Sequence, residues 1–309
     1  MSLRRRRDIW DVVVIGGGIG GLTAAWYTAR RGLPTALLEA SGMVGGQVAT
    51  VNVLDDYPVV GPISGVELAS TLAEKLDHSA VELSYEPVSN IKTSDGLLVV
   101  STDKRTLRTR RVIAASGAKL RTLHAAGAET LTGKGVSQCA HCDGHFFKGE
   151  DVVVVGGGDA ALQEALVLAP LCRTVTVVAR SHLRAKQFYV ERASSASNLK
   201  FVWDSEVEAV LGKDAVNGVR LRKRKTGEIT EIACAGVFPF IGVEPNAQFL
   251  PASVRCDESG RVLTDAHMRT ADPAIFAIGA LRSGYSGELT SAAGEAAVAA
   301  AAIAGDLAR

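Results

Sequence analysis

Two near-copies of one short pattern, set 140 residues apart, leave this chain few folds to choose from. Asp11-Val-Val-Val-Ile15 runs into Gly16-Gly-Gly-Ile-Gly-Gly21, and Asp151-Val-Val-Val-Val155 runs into Gly156-Gly-Gly-Asp-Ala-Ala161. Each copy is a short β-branched strand, a glycine turn and a helix-like segment, with the helices expected near Gly20–Arg30 and Ala160–Leu171. A second strand follows each, at Pro34–Glu39 and Thr174–Ala179. A strand–helix–strand start used twice predicts an α/β chain with parallel sheet in two separate domains.

The glycines have distinct physical tasks. The first permits the tight turn, the second lets backbone approach a pyrophosphate, and the third position needs a small residue where helix meets strand. Gly16, Gly18 and Gly21 follow that order, as do Gly156, Gly158 and Ala161. The helix behind each turn offers unpaired N–H groups and the positive end of its dipole to phosphate. One such pattern is weak, but two, each directly after a strand, specify two Rossmann-like nucleotide sites. Glu39 ends the second strand of the first copy, 23 residues beyond Gly16. A carboxylate there accepts a hydrogen bond from a ribose 2′-hydroxyl and repels a 2′-phosphate, which suits FAD or NAD. The same 23 residues counted from Gly156 reach Ala179, followed by Arg180. Losing the acid and gaining an arginine favours a 2′-phosphate, hence NADP. The plainer alternatives are turns without a ligand and a solvent-exposed arginine.

Composition narrows the function further. A hydrophobic content of 47% allows a large core, and a formal net charge of +1 gives no electrostatic case for nucleic acid or an anionic membrane. The run Arg4–Arg7 reads as a solvated terminus. The first residues lack the apolar h-region of a signal peptide, and no stretch reaches the ~20 apolar residues that span a bilayer. The Ala-rich segment from Ser291 to Ala304, interrupted by Gly294 and Glu295, is expected to be a buried, closely packed helix.

There are five cysteines, at 139, 142, 172, 234 and 256. An odd, sparse set is not a disulfide framework, so a cytoplasmic location is expected, where a close pair is catalytic or metal-binding rather than structural. Ser137-Gln-Cys-Ala-His-Cys-Asp-Gly144 supplies such a pair just before the second nucleotide unit. Cys139 and Cys142 are spaced to close a disulfide, and this spacing lowers one thiol's pKa. Asp143 follows as a candidate proton shuttle. Zinc is the other use of two cysteines, but no second Cys-x-x-Cys completes a site, leaving His124, His141 and His145 as the nearby nitrogens. No metal is expected. Cys172, Cys234 and Cys256 read as buried small hydrophobes.

These residues carry a family resemblance. Cys139-Ala-His-Cys142-Asp143-Gly-His-Phe-Phe, then Asp151 and the Gly156–Ala161 turn, resembles the Cys-Ala-Thr-Cys-Asp-Gly-Phe run of the low-molecular-weight thioredoxin reductases. Gly45-Gly46-Gln47 resembles their flavin-contacting loop, and Asp56-Tyr57-Pro58 resembles the Asn-Tyr-Pro that follows it. Ala115-Ser-Gly117-Ala118 looks like their Ala-Thr-Gly-Ala, and Thr270 through Ala277 like the strand that re-enters the first domain. The resemblance implies two Rossmann-like domains of the three-layer ββα type, the second inserted into the first. Residues 8–121 and 245–309 would bind FAD through Gly16, Gly18, Gly20, Gly21, Glu39, Gly46, Gln47, Gly117, Gly279 and Ala280. Residues 122–244 would carry the disulfide and, through Gly156, Gly158, Ala161, Arg180 and Arg184, bind NADPH. The resemblance also implies a homodimer and a thioredoxin-like protein or small disulfide or dithiol as partner. It makes Cys142 the thiol beside the flavin, Cys139 the interchange thiol and Asp143 the acid/base. Hinges would fall at 119–124 and 242–246.

Three departures stand out. The family's His-Arg-Arg, then arginine, becomes Ala179-Arg180-Ser181-His182-Leu183-Arg184. Its Gly-Asp at the end of the last FAD strand becomes Gly279-Ala280, removing about 1–3 kcal/mol of charge-assisted bonding to the ribityl chain. Its Tyr-Arg-Gln-Ala becomes Tyr285-Ser-Gly-Glu288, at the start of a helix expected to point at the flavin. The leading expectation is a thioredoxin-disulfide reductase-like enzyme. The alternatives are a relative independent of pyridine nucleotide, either a ferredoxin-driven reductase or a dithiol oxidase using oxygen, and a non-catalytic flavin or redox sensor.

Overall fold

Val12, Val13 and Val14, like Val152, Val153 and Val154, are almost wholly buried, because β-branched side chains suit a pleated strand covered on both faces. A computed structural model of the chain describes residues 8–54, 57–58, 61–77 and 81–308, so Arg4–Arg7 and Asp56 lie outside the described residues. In chain order the elements are β1 (Trp10–Ile15), α1 (Ile19–Arg30), β2 (Thr35–Glu39), α2 (Gly65–Asp77), β3 (Glu82–Tyr85), β4 (Val88–Ser94), β5 (Leu97–Thr102), β6 (Thr106–Ala114) and β7 (Ala118–Leu120). There follow α3 (Ala140–Asp143), β8 (Asp151–Val155), α4 (Asp159–Leu168), β9 (Thr174–Val178), α5 (Gln187–Ser195), β10 (Leu199–Val202), β11 (Ser205–Gly212), β12 (Val216–Lys223), β13 (Ile229–Ala233) and β14 (Gly236–Pro239). β15 (Val243–Pro245), β16 (Ile275–Ala277) and α6 (Leu289–Leu307) complete the chain.

Two compact units result. One holds the described residues up to Lys119 and from Glu244 onward; the other is Leu120–Val243. The first unit has one sheet in the order β3-β2-β1-β6-β5-β4, with β16 also paired to β6. The long β6 serves two neighbours on one side: Thr106–Thr109 pairs antiparallel with β5, and Val112–Ala114 pairs parallel with β16. Alternate residues of β1 enter different cores. Val12 and Val14 pack with Leu22, Ala25, Ala299 and Ile303 of α1 and α6. Val13 and Ile15 pack with Ile91, Val100 and Leu107 of the β4–β6 meander. Helices, sheet and meander are the three layers expected.

The second unit repeats this plan. Its parallel sheet runs β10-β9-β8-β14, and β11-β12-β13 form a separate antiparallel sheet. Val152 and Val154 meet Leu162, Leu168 and Tyr189 of α4 and α5, while Val153 and Val155 meet Val207, Val219 and Leu221 of the antiparallel sheet. The duplication extends to register: Ile15 pairs with Leu38 and Val155 with Val178, preserving the offset of the repeat. Gly16 and Gly156 donate their N–H groups to the matching carbonyls of Leu38 and Val178, at 2.7 and 3.0 Å.

Element ends moved slightly from expectation. α4 stops at Leu168, short of Leu171, because Pro170 has no N–H to continue the ladder. α6 is longer than Ser291–Ala304 and runs through Gly294 and Glu295 without a break. Its buried Ala292, Ala296, Ala299 and Ala300 present no bulk, which lets α6 lie close to α1.

Candidate functional site

In the first unit the glycine turn opens onto a cavity of about 640 Å³, in the range of small-molecule and cofactor sites. Gly16, Gly18, Gly20, Glu39, Gly46, Gln47, Gly117, Gly279 and Ala280 all line it. Gly21 does not. It sits where helix crosses strand, and a Cβ there would stand 1.8 Å from the Gly16 carbonyl oxygen. Gly16 itself has φ +106°, a conformation closed to most side chains. α1 starts with Gly18 as its N-cap and no side chain capping its first amides, so those donors remain for an anion.

The Glu39 carboxylate is held at the tip of β2. One oxygen accepts the Gly17 N–H; the other accepts from the Ser41 amide at 2.8 Å and the Ser41 hydroxyl at 2.9 Å. A carboxylate has about four acceptor positions, so one is left for a ribose hydroxyl. Gln47 donates through Nε2 to the Ala118 carbonyl, tying its loop to the Gly117 turn. An uncapped helix start, a buried fixed carboxylate and a cavity of this size together fit a dinucleotide such as FAD.

Asn246 in this cavity and Glu295 behind it escaped the sequence reading. Asn246 lines it and exchanges hydrogen bonds with Ser116: Ser116 Oγ donates to the Asn246 carbonyl at 2.7 Å, and Asn246 Nδ2 to the Ser116 carbonyl at 2.9 Å. They are 130 positions apart, so no local pattern announces the pair. Ala280 leaves only a methyl group at the wall, but the preceding peptide is clamped from α6. Buried Glu295 accepts the Gly279 N–H at 2.6 Å through one oxygen. Its other oxygen takes Arg282 Nη1 at 2.8 Å and the Ser291 hydroxyl at 3.1 Å. An acid within an alanine run was the available signal.

The second unit holds the paired sulfurs. Cys139 and Cys142 form a disulfide with a Cα–Cα distance of 5.3 Å. Cys139 caps α3, and its Sγ accepts the Cys142 N–H at 3.1 Å. The Asp143 carboxylate accepts the Ser137 hydroxyl, and Ser137 Oγ in turn accepts the Cys139 N–H at 3.1 Å. Beneath them Glu164 of α4 accepts the Ala140 N–H at 2.9 Å. Burial pushes the Glu164 carboxyl above its ordinary range, against the pull of that N–H and of His141. Cys172 and Cys234 are buried as expected, and burial raises their thiols to about 11 and about 12. Cys256 is a correction: it is exposed, lying next to exposed Arg255 in a stretch whose only ladder contact among the described residues is one isolated bridge to Val262.

The second glycine turn has Gly158 as the N-cap of α4, again without a capping side chain. Ala161 is fully buried behind it. The segment after β9 folds back on the turn, where the Arg184 N–H donates to the Gly157 carbonyl at 2.7 Å. Arg180 lies two residues past the end of β9, after Ala179, and is exposed. Asp159, the one acid of this helix start, is engaged by Lys186, whose N–H donates at 2.7 Å and whose Nζ stands at 3.6 Å.

Residues 10–302 match the family model of the pyridine nucleotide-disulphide oxidoreductases. A thioredoxin reductase of Treponema pallidum is 38% identical over 94% of this chain and 95% of its own length. The crystal structure of Lactococcus lactis thioredoxin reductase superposes with a TM-score of 0.92 at 38% identity, covering 95% of this chain and 97% of that one. The chain belongs to the low-molecular-weight thioredoxin reductase family. The thioredoxin reductase of T. acidophilum, at 30% identity, also gives a TM-score of 0.92 over 98% of this chain. As a thioredoxin reductase-like chain it is an oxidoreductase and a flavoprotein with a redox-active disulfide. Among its described residues no helix is long and apolar enough to cross a membrane.

Proposed function

We propose that this chain passes electrons from NADPH through bound FAD to the Cys139–Cys142 disulfide, and from there to the disulfide of a thioredoxin-like protein. The observation that carries it is the Cys-x-x-Cys-Asp loop, bonded as a disulfide, in a chain whose first unit frames a dinucleotide cavity. On this reading the unit up to Lys119 and from Glu244 onward is the FAD domain, and Leu120–Val243 is the NADPH domain.

FAD supplies hydride acceptance and electron transfer to sulfur. The chain's own residues do the rest. Gly16, Gly18 and the α1 amides would hold the FAD pyrophosphate, and Glu39 its ribose. Two electrons break the Cys139–Cys142 bond into a thiolate and a thiol, with one proton taken up. The Cys142 N–H directed at Cys139 Sγ favours the charged form of that sulfur, which makes it the better nucleophile. Cys139 then attacks the partner disulfide, forming a mixed disulfide and releasing one partner thiolate. Asp143, oriented by the Ser137 hydroxyl, protonates that leaving sulfur and takes the proton from Cys142. Cys142 closes on Cys139 and frees the second partner sulfur.

The intact second turn supports a nucleotide reductant over ferredoxin, and Asp143 supports turnover over sensing. The redox pair among sparse cysteines supports a cytoplasmic location. An apolar groove of about 310 Å³ between α1, α2 and α6, lined by Trp26, Leu72 and Ala297, supports a homodimer. Anaerobic NADPH should bleach the flavin band and open Cys139 and Cys142 to alkylation. A flavin left oxidised by both NADPH and NADH would overturn the nucleotide-driven route.

A further inference from the structure

Most arginines of the second unit that line its sheets are neutralised: Arg173 by Asp151, Arg220 by Glu231 and Arg222 by Glu206. Arg224 is different. It lies just past β12, is exposed, and pairs with no carboxylate among the described residues; Arg180 and Arg184 share that state. Yet Arg224 is fixed at both ends. Its N–H donates to the Asp204 carbonyl at 2.8 Å, and its Nη1 donates to the Arg180 carbonyl at 3.2 Å. Neither Asp204, whose carbonyl Arg224 contacts, nor Glu228, four residues beyond Arg224, forms an ion pair with any of the three arginines among the described residues.

The repeat says what this corner faces. Because β1–β2 and β8–β9 share one register, Ala179 stands where Glu39 stands in the first unit, and Arg180 is the next residue. The carboxylate position that meets a ribose 2′-hydroxyl is therefore replaced by a methyl group flanked by two guanidinium-bearing residues from different elements. A guanidinium has five N–H donors, and Arg224 uses one on Arg180, so a fork remains for a planar or tetrahedral anion. Unpaired, held cations at this point suit a 2′-phosphate.

We propose that Arg224, reaching across from the β12–β13 connection, is the second arm of a 2′-phosphate clamp with Arg180, and is a specificity-determining residue for NADPH over NADH. The inference rests on the assignment of the second turn to a reduced pyridine nucleotide. It makes this preference depend on two separate segments, the one after β9 and the β12–β13 connection.

Isothermal titration of the FAD-loaded protein with 2′,5′-ADP and with 5′-AMP tests it without turnover. Wild type should bind 2′,5′-ADP at least about tenfold tighter than 5′-AMP. Arg224→Ala should lose about tenfold for 2′,5′-ADP and leave 5′-AMP within about twofold. Arg220→Ala, on the adjoining strand β12 but paired with Glu231, should change neither. If wild type discriminates and Arg224→Ala does so equally well, the clamp is overturned while the NADPH reading stands. Equal weakening by Arg220→Ala would reduce the effect to general charge and also overturn it. If wild type does not discriminate, the NADPH reading fails, and this inference with it.

Discussion

Glu164 lies under the redox loop with its carboxyl raised, burial outweighing the Ala140 N–H and the His141 charge. A group raised in the folded state stabilises most below its unfolded value, here an ordinary 4.5, and that contribution is lost as pH rises through the folded value. Glu164→Gln keeps an acceptor for Ala140 and removes the titration. Its stability relative to wild type should therefore improve as pH rises above about 4.5, read by urea unfolding at several pH values. A gap independent of pH would contradict the burial. Asp257 runs the other way. Hydrogen bonds from the Ser259 and Ser283 hydroxyls and the Arg261 N–H hold it down to about 2. Its contribution is present above the unfolded 3.8 and disappears as pH falls through about 2, so Asp257→Ala should converge on wild type in strong acid.

At the scale of elements, α6 is the piece whose role composition hides. Its alanines read correctly as a packed helix, but Glu295 reads as an interruption when it is a buried clamp on the Gly279–Leu281 turn through Gly279 and Arg282. Removing one partner of such a pair leaves the other charge buried. Glu295→Ala should cost about 3 kcal/mol, and Glu295→Ala with Arg282→Met should cost less than Glu295→Ala alone. Chemical denaturation of the three proteins checks this, and a double variant less stable than the single would contradict it. Ala299 is fully buried, so Ala299→Leu should cost about 1–3 kcal/mol by overpacking. The strands and glycine turns were legible because their period and spacing are local: Val12–Val14 and Gly16–Gly21 carry their own reasons. The Ser116–Asn246 exchange and the Glu164 cap were not, since each joins residues that only the finished topology brings together. The Cys139–Cys142 pair was legible in its spacing, with its use as a disulfide following from the missing second Cys-x-x-Cys and the family resemblance, whereas the exposure of Cys256 depended on what failed to cover it.

For the molecule as a whole, one plan used twice provides two nucleotide turns with opposite chemistry at the same register: a carboxylate at Glu39, and Ala179 followed by Arg180 in its counterpart. The division of labour proposed above follows from that difference, with flavin in one unit and reductant and sulfur in the other. Its central consequence is that flavin and disulfide fill with electrons as one system. Anaerobic dithionite titration of the FAD-loaded protein, followed by flavin absorbance and thiol count, tests this most directly. Wild type is expected to take up twice the reducing equivalents of a Cys139→Ser, Cys142→Ser double variant, with thiols appearing alongside flavin bleaching. Equal uptake by the two proteins, with the Cys139–Cys142 bond intact beside a fully reduced flavin, would contradict it.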